Sequence, residues 1–141
     1  MNQDFQALIS QLSLTEVRFL DSHESVLADE PPLGTGVTID SAQAFANDDP
    51  LVNGNAMIFR MKYMFNFSVD KKVFFKAEYV AAINFTAQDP KQVKKLLSNS
   101  EVKDFFYKKQ LTRTMWSILR GTIMDAFNRH SLHPVQLPWM L

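Results

Sequence analysis

Apolar and polar side chains alternate along the chain from Met57 to Thr86. Apolar residues stand at odd positions on both sides of the polar corner Asp70-Lys71-Lys72. Because successive side chains of a strand point to opposite faces, this pattern predicts two long strands with one apolar face. Two runs that keep the same phase around a polar corner are typical of a hairpin. We therefore predict that a hairpin over residues 57–86 forms the centre of the fold.

Shorter periodic segments precede the hairpin. Residues 3–12 have apolar side chains at helical spacing, and residues 14–20 and 36–45 indicate a first and a second strand. The acidic, Pro- and Gly-containing segments 21–36 and 47–55 are predicted to be a loop and a turn. With the hairpin, these strands predict a four-stranded antiparallel meander.

The last third of the chain has a helical pattern. Asp89-Pro90 is a typical helix start, which predicts a short helix over 90–98, and a longer helix opens at Ser100. Apolar residues then recur at helical spacing, and we expect them to cover the odd-numbered face of the hairpin. They are Leu111, Met115, Ile118, Leu119, Thr122, Ile123 and Ala126. Pro134 and Pro138 predict an extended tail over residues 130–141.

Small side chains form a strip on the long helix. Thr114, Ser117 and Gly121 are spaced three and four residues apart, which allows another backbone to approach closely. This strip predicts an interface in a homodimer or a dimer of dimers. The alternative is that the helix ends near residue 120, since Gly inside a helix costs about 1 kcal/mol relative to Ala.

Length and composition favour one globular α+β domain over residues 1–141. Hydrophobic residues make up 46% and charged residues 21% of the chain, and Cys is absent. No apolar run approaches the ~18 residues that span a bilayer, and the first residues do not resemble a signal peptide. We expect a cytoplasmic protein that does not insert directly into membranes.

Charge is distributed unevenly along the chain although the formal net charge is zero. Residues 1–56 hold nine acids and one base, a balance of −8, and residues 57–141 hold fourteen bases and six acids, a balance of +8. One interpretation is that the two halves pack together and their charges partly cancel. The alternative is a basic surface for an acidic or nucleic-acid partner.

Few residues suggest catalysis. His130 and His133 lack a clear third ligand, and no phosphate-binding loop or nucleophile motif is present, so we predict no enzyme activity, metal or cofactor. Glu78 lies on the polar face of the hairpin, where it could pair with Lys62 or Lys76. We interpret the Lys-rich run over residues 91–113 as a solvated helix face rather than a nucleic-acid site.

The supply of aromatic and Met side chains is large for one helical layer, with twelve Phe, seven Met, three Tyr and two Trp. Such side chains suit a surface that accepts varied apolar sequences, and oligomerisation would also cover them. Apolar residues near the ends of the sheet and in the tail are the predicted contacts for unfolded polypeptide clients. They are Phe45, Leu51, Val52, Leu137, Trp139 and Met140.

Three stretches resemble the SecB family of protein-export chaperones. Residues 78–85 begin with an acid and end seven positions later with Phe85, as in the family's fourth strand. Residues 118–122 are similar to the place where its long helix reaches a Gly, and residues 132–137 resemble its Leu-x-Pro-(Val/Ile)-Asn-Phe stretch. In the order of elements the resemblance covers residues 14–137.

The resemblance implies an ATP-independent chaperone that keeps unfolded or pre-secretory polypeptides soluble or translocation-competent. Glu78 matches the family acid that contacts the export ATPase SecA, whereas Lys76 stands where a hydrophobic contact residue is expected. Ile83 and Asn84 also depart from the family pattern. Because the chain ends at Leu141 without the family's second C-terminal helix and acidic tail, we expect weak SecA binding at best.

Two alternatives to an export chaperone stay open. A short SecB-like protein could serve one dedicated partner, as antitoxin-associated members do. A protein of another class, a structural or regulatory oligomer, would use the same apolar surface only for self-assembly.

Overall fold

The computed structural model describes residues 2–28, 36–45, 49–132 and 137–138. An antiparallel sheet of five strands carries helices on one face, an α+β arrangement. The strands are β1 (Leu12–Val26), β2 (Val37–Phe45), β3 (Leu51–Asn53), β4 (Ala56–Val69) and β5 (Lys72–Ala87). The helices are α1 (Asn2–Gln11), α2 (Pro90–Leu97), α3 (Ser100–Phe105) and α4 (Thr112–Arg129), with a π-helical segment (Phe106–Leu111) between α3 and α4.

The strand order is β1-β5-β4-β2, and β3 also pairs with β4. The predicted meander is therefore wrong, because β1 lies beside β5 at the opposite edge from β2. β2, β4 and β5 lie side by side in the sheet, and β1 lies beside β5 rather than beside β2. This arrangement is a Greek-key order. The predicted number of four strands is also wrong. β4 and β5 have the most regular apolar faces and occupy the centre, whereas β1 and β2 lie at the edges.

The predicted hairpin is confirmed, and its turn explains the shared phase of its two strands. Asp70 and Lys71 both have positive φ, at 52° and 66°, as in a type I′ turn of two residues. Such a turn alone would pair odd with even positions. Phe74 is an extra residue in β5, so that Phe67 pairs with Phe75 beyond it. This bulge places the odd-numbered residues of both strands on one face.

Two strand assignments differ from the prediction. β1 continues to Val26 through the segment predicted as a loop from Asp21. Its pairing with β5 shifts between Leu14 and Glu16 and again between Phe19 and Asp21, and each extra residue breaks the alternation of side chains. β3 lies inside the predicted turn 47–55 and was too short to give a periodic signal.

Aromatic side chains join the sheet to the helices. The Phe59 ring lies 5.2 Å from that of Phe106 and 5.6 Å from that of Tyr107, measured between centroids. Phe67 and Phe127 lie 5.0 Å apart near the other end of the hairpin. The expectation that the C-terminal helices cover the odd-numbered face is confirmed, and these contacts form the core.

The helical boundaries agree closely with the prediction. The Asp89 side chain accepts a hydrogen bond from the Lys91 amide, and the Asn99 side chain caps α3 at Ser100. α4 continues to Arg129, so the alternative of a helix end near residue 120 is wrong. Among the described residues, no helix is long and apolar enough to cross a membrane.

Candidate functional site

The face of the sheet that bears the even-numbered residues of β4 and β5 is here called the open face. Apart from Ser68 and Phe74, those residues are half-buried or exposed. Apolar side chains such as Met64 and Val80 alternate there with charged ones such as Arg60. A mixed face of this kind suits protein contact better than small-molecule chemistry.

Glu78 and Lys76 both lie on the open face. A Glu78 carboxylate oxygen lies 3.7 Å from Lys62 Nζ, so the expected cross-strand pair forms with Lys62. Lys76 is exposed and pairs in register with Asn66 of β4. Both side chains are accessible to a partner, and their role in binding stays a prediction.

The end of the sheet near β3 presents two of the predicted client-contact residues. Leu51 is 48% exposed and Val52 is 39% exposed. In register, Leu51 pairs with Ile58 and Val52 with Met57. Phe45 is the last residue of β2, and its side chain lies outside the described part of the structure.

The tail differs from the expectation of an accessible client contact. Leu137 is 4% exposed and belongs to the hydrophobic core. The Pro138 carbonyl accepts a hydrogen bond of 2.9 Å from the Trp116 indole, which fixes this part of the tail against α4. Leu137 is therefore a packing residue, because its side chain is buried in the core. Trp139 and Met140 lie outside the described residues.

The predicted interface strip lies on the outward side of α4. The Thr114 hydroxyl donates a hydrogen bond to the Gln110 carbonyl, and Ser117 and Gly121 are exposed. Beyond its chain neighbours and the local backbone of α4, a Cβ placed on Gly121 would meet no atom within 4 Å. Ile118 is 37% exposed and Met124 is 50% exposed, and they add apolar area at helical spacing from the strip.

A polar cluster that sequence reasoning missed joins β1, β5 and α4. The Tyr79 hydroxyl donates to one Glu24 oxygen at 2.7 Å, and the Arg129 guanidinium donates to the other at 2.8 Å. Arg129 also donates to Asp125 at 2.9 Å. We call these four residues the β1–α4 clasp. Burial, together with the hydrogen bond to Glu24, raises the pKa of Tyr79 well above its usual range.

Four exposed apolar side chains of the β1 edge were also missed. Two of them lie within the predicted strand 14–20 and two lie beyond it, and the bulges of β1 disguise the alternation that would show which side chains are exposed. They are Leu14, Leu20, Val26 and Leu27, the last just beyond the strand. An exposed edge strand with apolar side chains is a surface on which another strand can add.

The described residues contain no group of three or more His, Asp or Glu side chains arranged to hold a metal ion. The His130 ring lies 5.7 Å from the Phe75 ring between centroids, so it packs against the core. His133 lies outside the described residues.

No family model matches the sequence, and no curated protein matches it. A solved structure does match: the Mycobacterium tuberculosis SecB-like chaperone Rv1957, in complex with a ChAD peptide from the antitoxin HigA1. The TM-score is 0.69 at 13% sequence identity, and the match covers 99% of this chain and 98% of that chain. The fold is SecB-like. A SecB-like fold accounts for the long hairpin, the Greek-key order and the helical layer over one face.

Proposed function

We propose that this protein is an ATP-independent chaperone that binds unfolded polypeptide in the cytoplasm and keeps it from aggregating. The observation that carries the proposal is the match in fold over almost the whole of both chains to a SecB-like chaperone bound to a peptide. The sequence resemblance over residues 78–85 and 118–122 supports the same function independently.

Accessible apolar side chains supply the means of binding. Leu51 and Val52 at the β3 end, and Leu20 and Leu27 along the β1 edge, are each exposed by more than a third. Burying one such side chain completely contributes about 1.5–3 kcal/mol, and the contact is non-directional. Several partial burials therefore hold an extended client reversibly without selecting one sequence.

The test is suppression of aggregation of a reduced, unfolded protein, followed by light scattering without nucleotide. We expect suppression near one client per chaperone assembly. The double variant Leu51→Ser/Val52→Ser should suppress less well, because it removes apolar area from the β3 end. A variant with one polar substitution on α2, Gln92→Ser, is the matched surface control. Absence of suppression by the unmodified protein would reject the chaperone function.

Delivery to SecA is a narrower proposal with its own test. Glu78 is half-buried beside Lys62 on the open face, and Glu78→Lys places two positive charges together there. The variant should lose SecA binding while its unfolding free energy changes by about 0.5 kcal/mol or less, as for surface substitutions. If the unmodified protein does not bind the SecA of its host, the export role is rejected, and the hypothesis of a chaperone for one dedicated partner is favoured.

A second candidate is an oligomer that uses its apolar surface only for assembly. The exposed Ile118 and Met124 beside Gly121 favour it, because they form an apolar patch on the side of α4 away from the sheet. The two candidates separate in one assay: an assembly protein oligomerises but leaves client aggregation unchanged. A chaperone that assembles through α4 oligomerises and also suppresses client aggregation.

A further inference from the structure

Direct ion pairs between the two oppositely charged halves of the sequence are few in the part of the chain that the structure describes. Five ion pairs form among the described residues, and one of them, Glu24 with Arg129, joins residues 1–56 to residues 57–141. The other four lie within one half. The lysines of α2 and α3 take part in none of these five pairs.

Helix α2 presents its lysines on the side away from the core. Lys91, Lys94 and Lys95 are exposed and spaced so that they share one side, whereas Val93 and Leu97 are buried. Within the described residues, none of these three lysines has a carboxylate oxygen within ion-pair distance. Three unneutralised cations on a helix of two turns attract anions at low ionic strength.

A cleft between α2 and α3 places one of these three lysines, Lys94, together with a lysine of α3. Lys94 of α2 and Lys103 of α3 both line it, and its volume is about 450 Å³. The remaining lining residues are Asp49, Pro50, Leu97, Ser98 and Ser100. The Lys103 ammonium also lies 6.0 Å from the centroid of the Tyr107 ring, which holds it on the α3 side. We call the site formed by these seven lining residues the α2–α3 basic cleft.

We propose that the α2–α3 basic cleft binds an acidic segment of a polypeptide client, with carboxylates on Lys94 and Lys103. The proposal rests on the proposed chaperone function and adds a charged contact to its apolar ones. Leu97, which is mostly buried, and Pro50 give the cleft an apolar wall. An extended segment in which Asp or Glu alternates with apolar residues satisfies both the cations and this wall.

The surroundings of the cleft favour a peptide over nucleic acid. Asp49 lines the cleft itself, and Glu101 and Asp104 are exposed on α3 close to Lys103 in sequence. Nucleic acid carries a regular series of backbone phosphates, about one charge per 1.7 Å in duplex DNA, and these acids interrupt the basic surface that it needs. The spacing of carboxylates in a peptide is set by its sequence, so a peptide can place them away from these three acids.

The test uses the full chain and a fluorescein-labelled peptide in which Glu is interspersed with Leu and Ser. A matched peptide carries Gln in place of Glu, and affinity is measured by anisotropy at low and physiological ionic strength. The Glu peptide should bind more tightly than the Gln peptide, and salt should weaken the binding of the Glu peptide. Because exposed ion pairs are individually weak, Lys94→Gln/Lys103→Gln should lower the affinity about three- to tenfold.

The control variant Lys71→Gln/Lys72→Gln removes the same charge from exposed positions in and beside the hairpin turn and should bind as the unmodified protein does. Equal losses in the two variants, equal binding of the two peptides, or tighter binding of a single-stranded oligonucleotide would each overturn the proposal. Aggregation suppression by the unmodified protein is measured in parallel. If the protein suppresses aggregation but does not prefer the Glu peptide, only the proposed acidic-segment site in the cleft is rejected. If it does not suppress aggregation, the chaperone function is rejected.

Discussion

The Glu24 side chain links β1, which pairs with β5 along its length, to side chains of both β5 and α4. Its two carboxylate oxygens accept from Tyr79 and Arg129, and its side chain is 10% exposed. Hydrogen bonds to a charged group in such a position are stronger than neutral ones, because little water competes. At the scale of residues, we therefore expect the β1–α4 clasp to contribute to stability.

The clasp predicts coupling between Glu24 and Arg129. Glu24→Gln should lower the unfolding free energy by about 1–3 kcal/mol, because it removes the charge that both donors approach. A double-mutant cycle with Arg129→Gln, measured by urea unfolding, should show that the two losses are not additive. Glu16→Gln, whose partner Arg18 is exposed, is the control and should change stability little. Additive losses in the Glu24 cycle would show that the contact is energetically unimportant.

Tyr79 predicts how stability depends on alkaline pH. The folded protein holds the Tyr79 proton more tightly than the unfolded chain, in which the pKa is about 10. The resulting stabilisation is fully present below that value and is lost as the pH rises above it. Urea unfolding between neutral and alkaline pH should show this fall, and Tyr79→Phe should reduce its slope. An unchanged slope in Tyr79→Phe would assign the fall to other groups, among them the buried Tyr63, whose pKa burial also raises.

The sequence pattern predicted some residues well and others poorly for a physical reason. The Glu78–Lys62 contact was foreseen because both lie in strands of regular alternation. Glu24 was placed in a loop, because the bulges of β1 shift the phase of its side chains. A contact between residues 24 and 129 also leaves no local signal in one sequence, since it depends on how distant elements pack.

At the scale of elements, regular periodicity decided what could be predicted. α2 was predicted over 90–98 and observed at Pro90–Leu97, and the hairpin was predicted within a residue at each end. The π-helical segment was not predicted. Gln43 of β2 donates to the Lys108 carbonyl at 3.0 Å and accepts from the Thr112 hydroxyl at 2.8 Å, which ties this segment to the sheet edge. Such a bridge depends on tertiary packing rather than on spacing.

The tail gives a prediction at the same scale. Deleting residues 137–141 should destabilise the fold, because Leu137 is buried and Pro138 accepts from Trp116. Leu137→Ala alone should cost about 2–5 kcal/mol, as for other buried Leu side chains. The loss of stability is measured by thermal unfolding. In a Trp139→Phe background Trp116 is the remaining tryptophan, and its emission should shift to the red as the indole gains contact with water. If the deletion leaves stability unchanged but weakens client binding, the predicted destabilisation is wrong and the tail is a client contact.

At the scale of the whole molecule, fold and site were unequally predictable. The α+β class and the helical cover follow from the order of periodic elements, and the SecB-like arrangement was implied by the resemblance to that family. The Greek-key order required knowing that β1 pairs with β5. The site could be predicted only as a set of residues near element ends. Which of them are exposed, as Leu51 is, and which are buried, as Leu137 is, depends on how distant elements pack.

Assembly is the prediction that concerns the molecule as a whole. We expect a homodimer or a dimer of dimers in which the strip of Thr114, Ser117 and Gly121 meets another copy. Gly121→Leu should weaken that assembly, because the larger side chain occupies the space that a second backbone needs. Within one chain the new Cβ meets no atom within 4 Å beyond its chain neighbours and the local backbone of α4, and Leu favours a helix over Gly by up to about 1 kcal/mol. The variant should therefore dissociate while its single chain keeps or gains helical stability.

These opposite effects make the test specific. Light scattering gives the mass at micromolar concentration, and circular dichroism gives the helix content and thermal unfolding of the same samples. Gln92→Leu adds the same side chain to an exposed position of α2 and should leave the mass unchanged. A monomeric mass for the unmodified protein would show that the α4 strip is not an interface, and the exposed Ile118 and Met124 would then be open to clients instead.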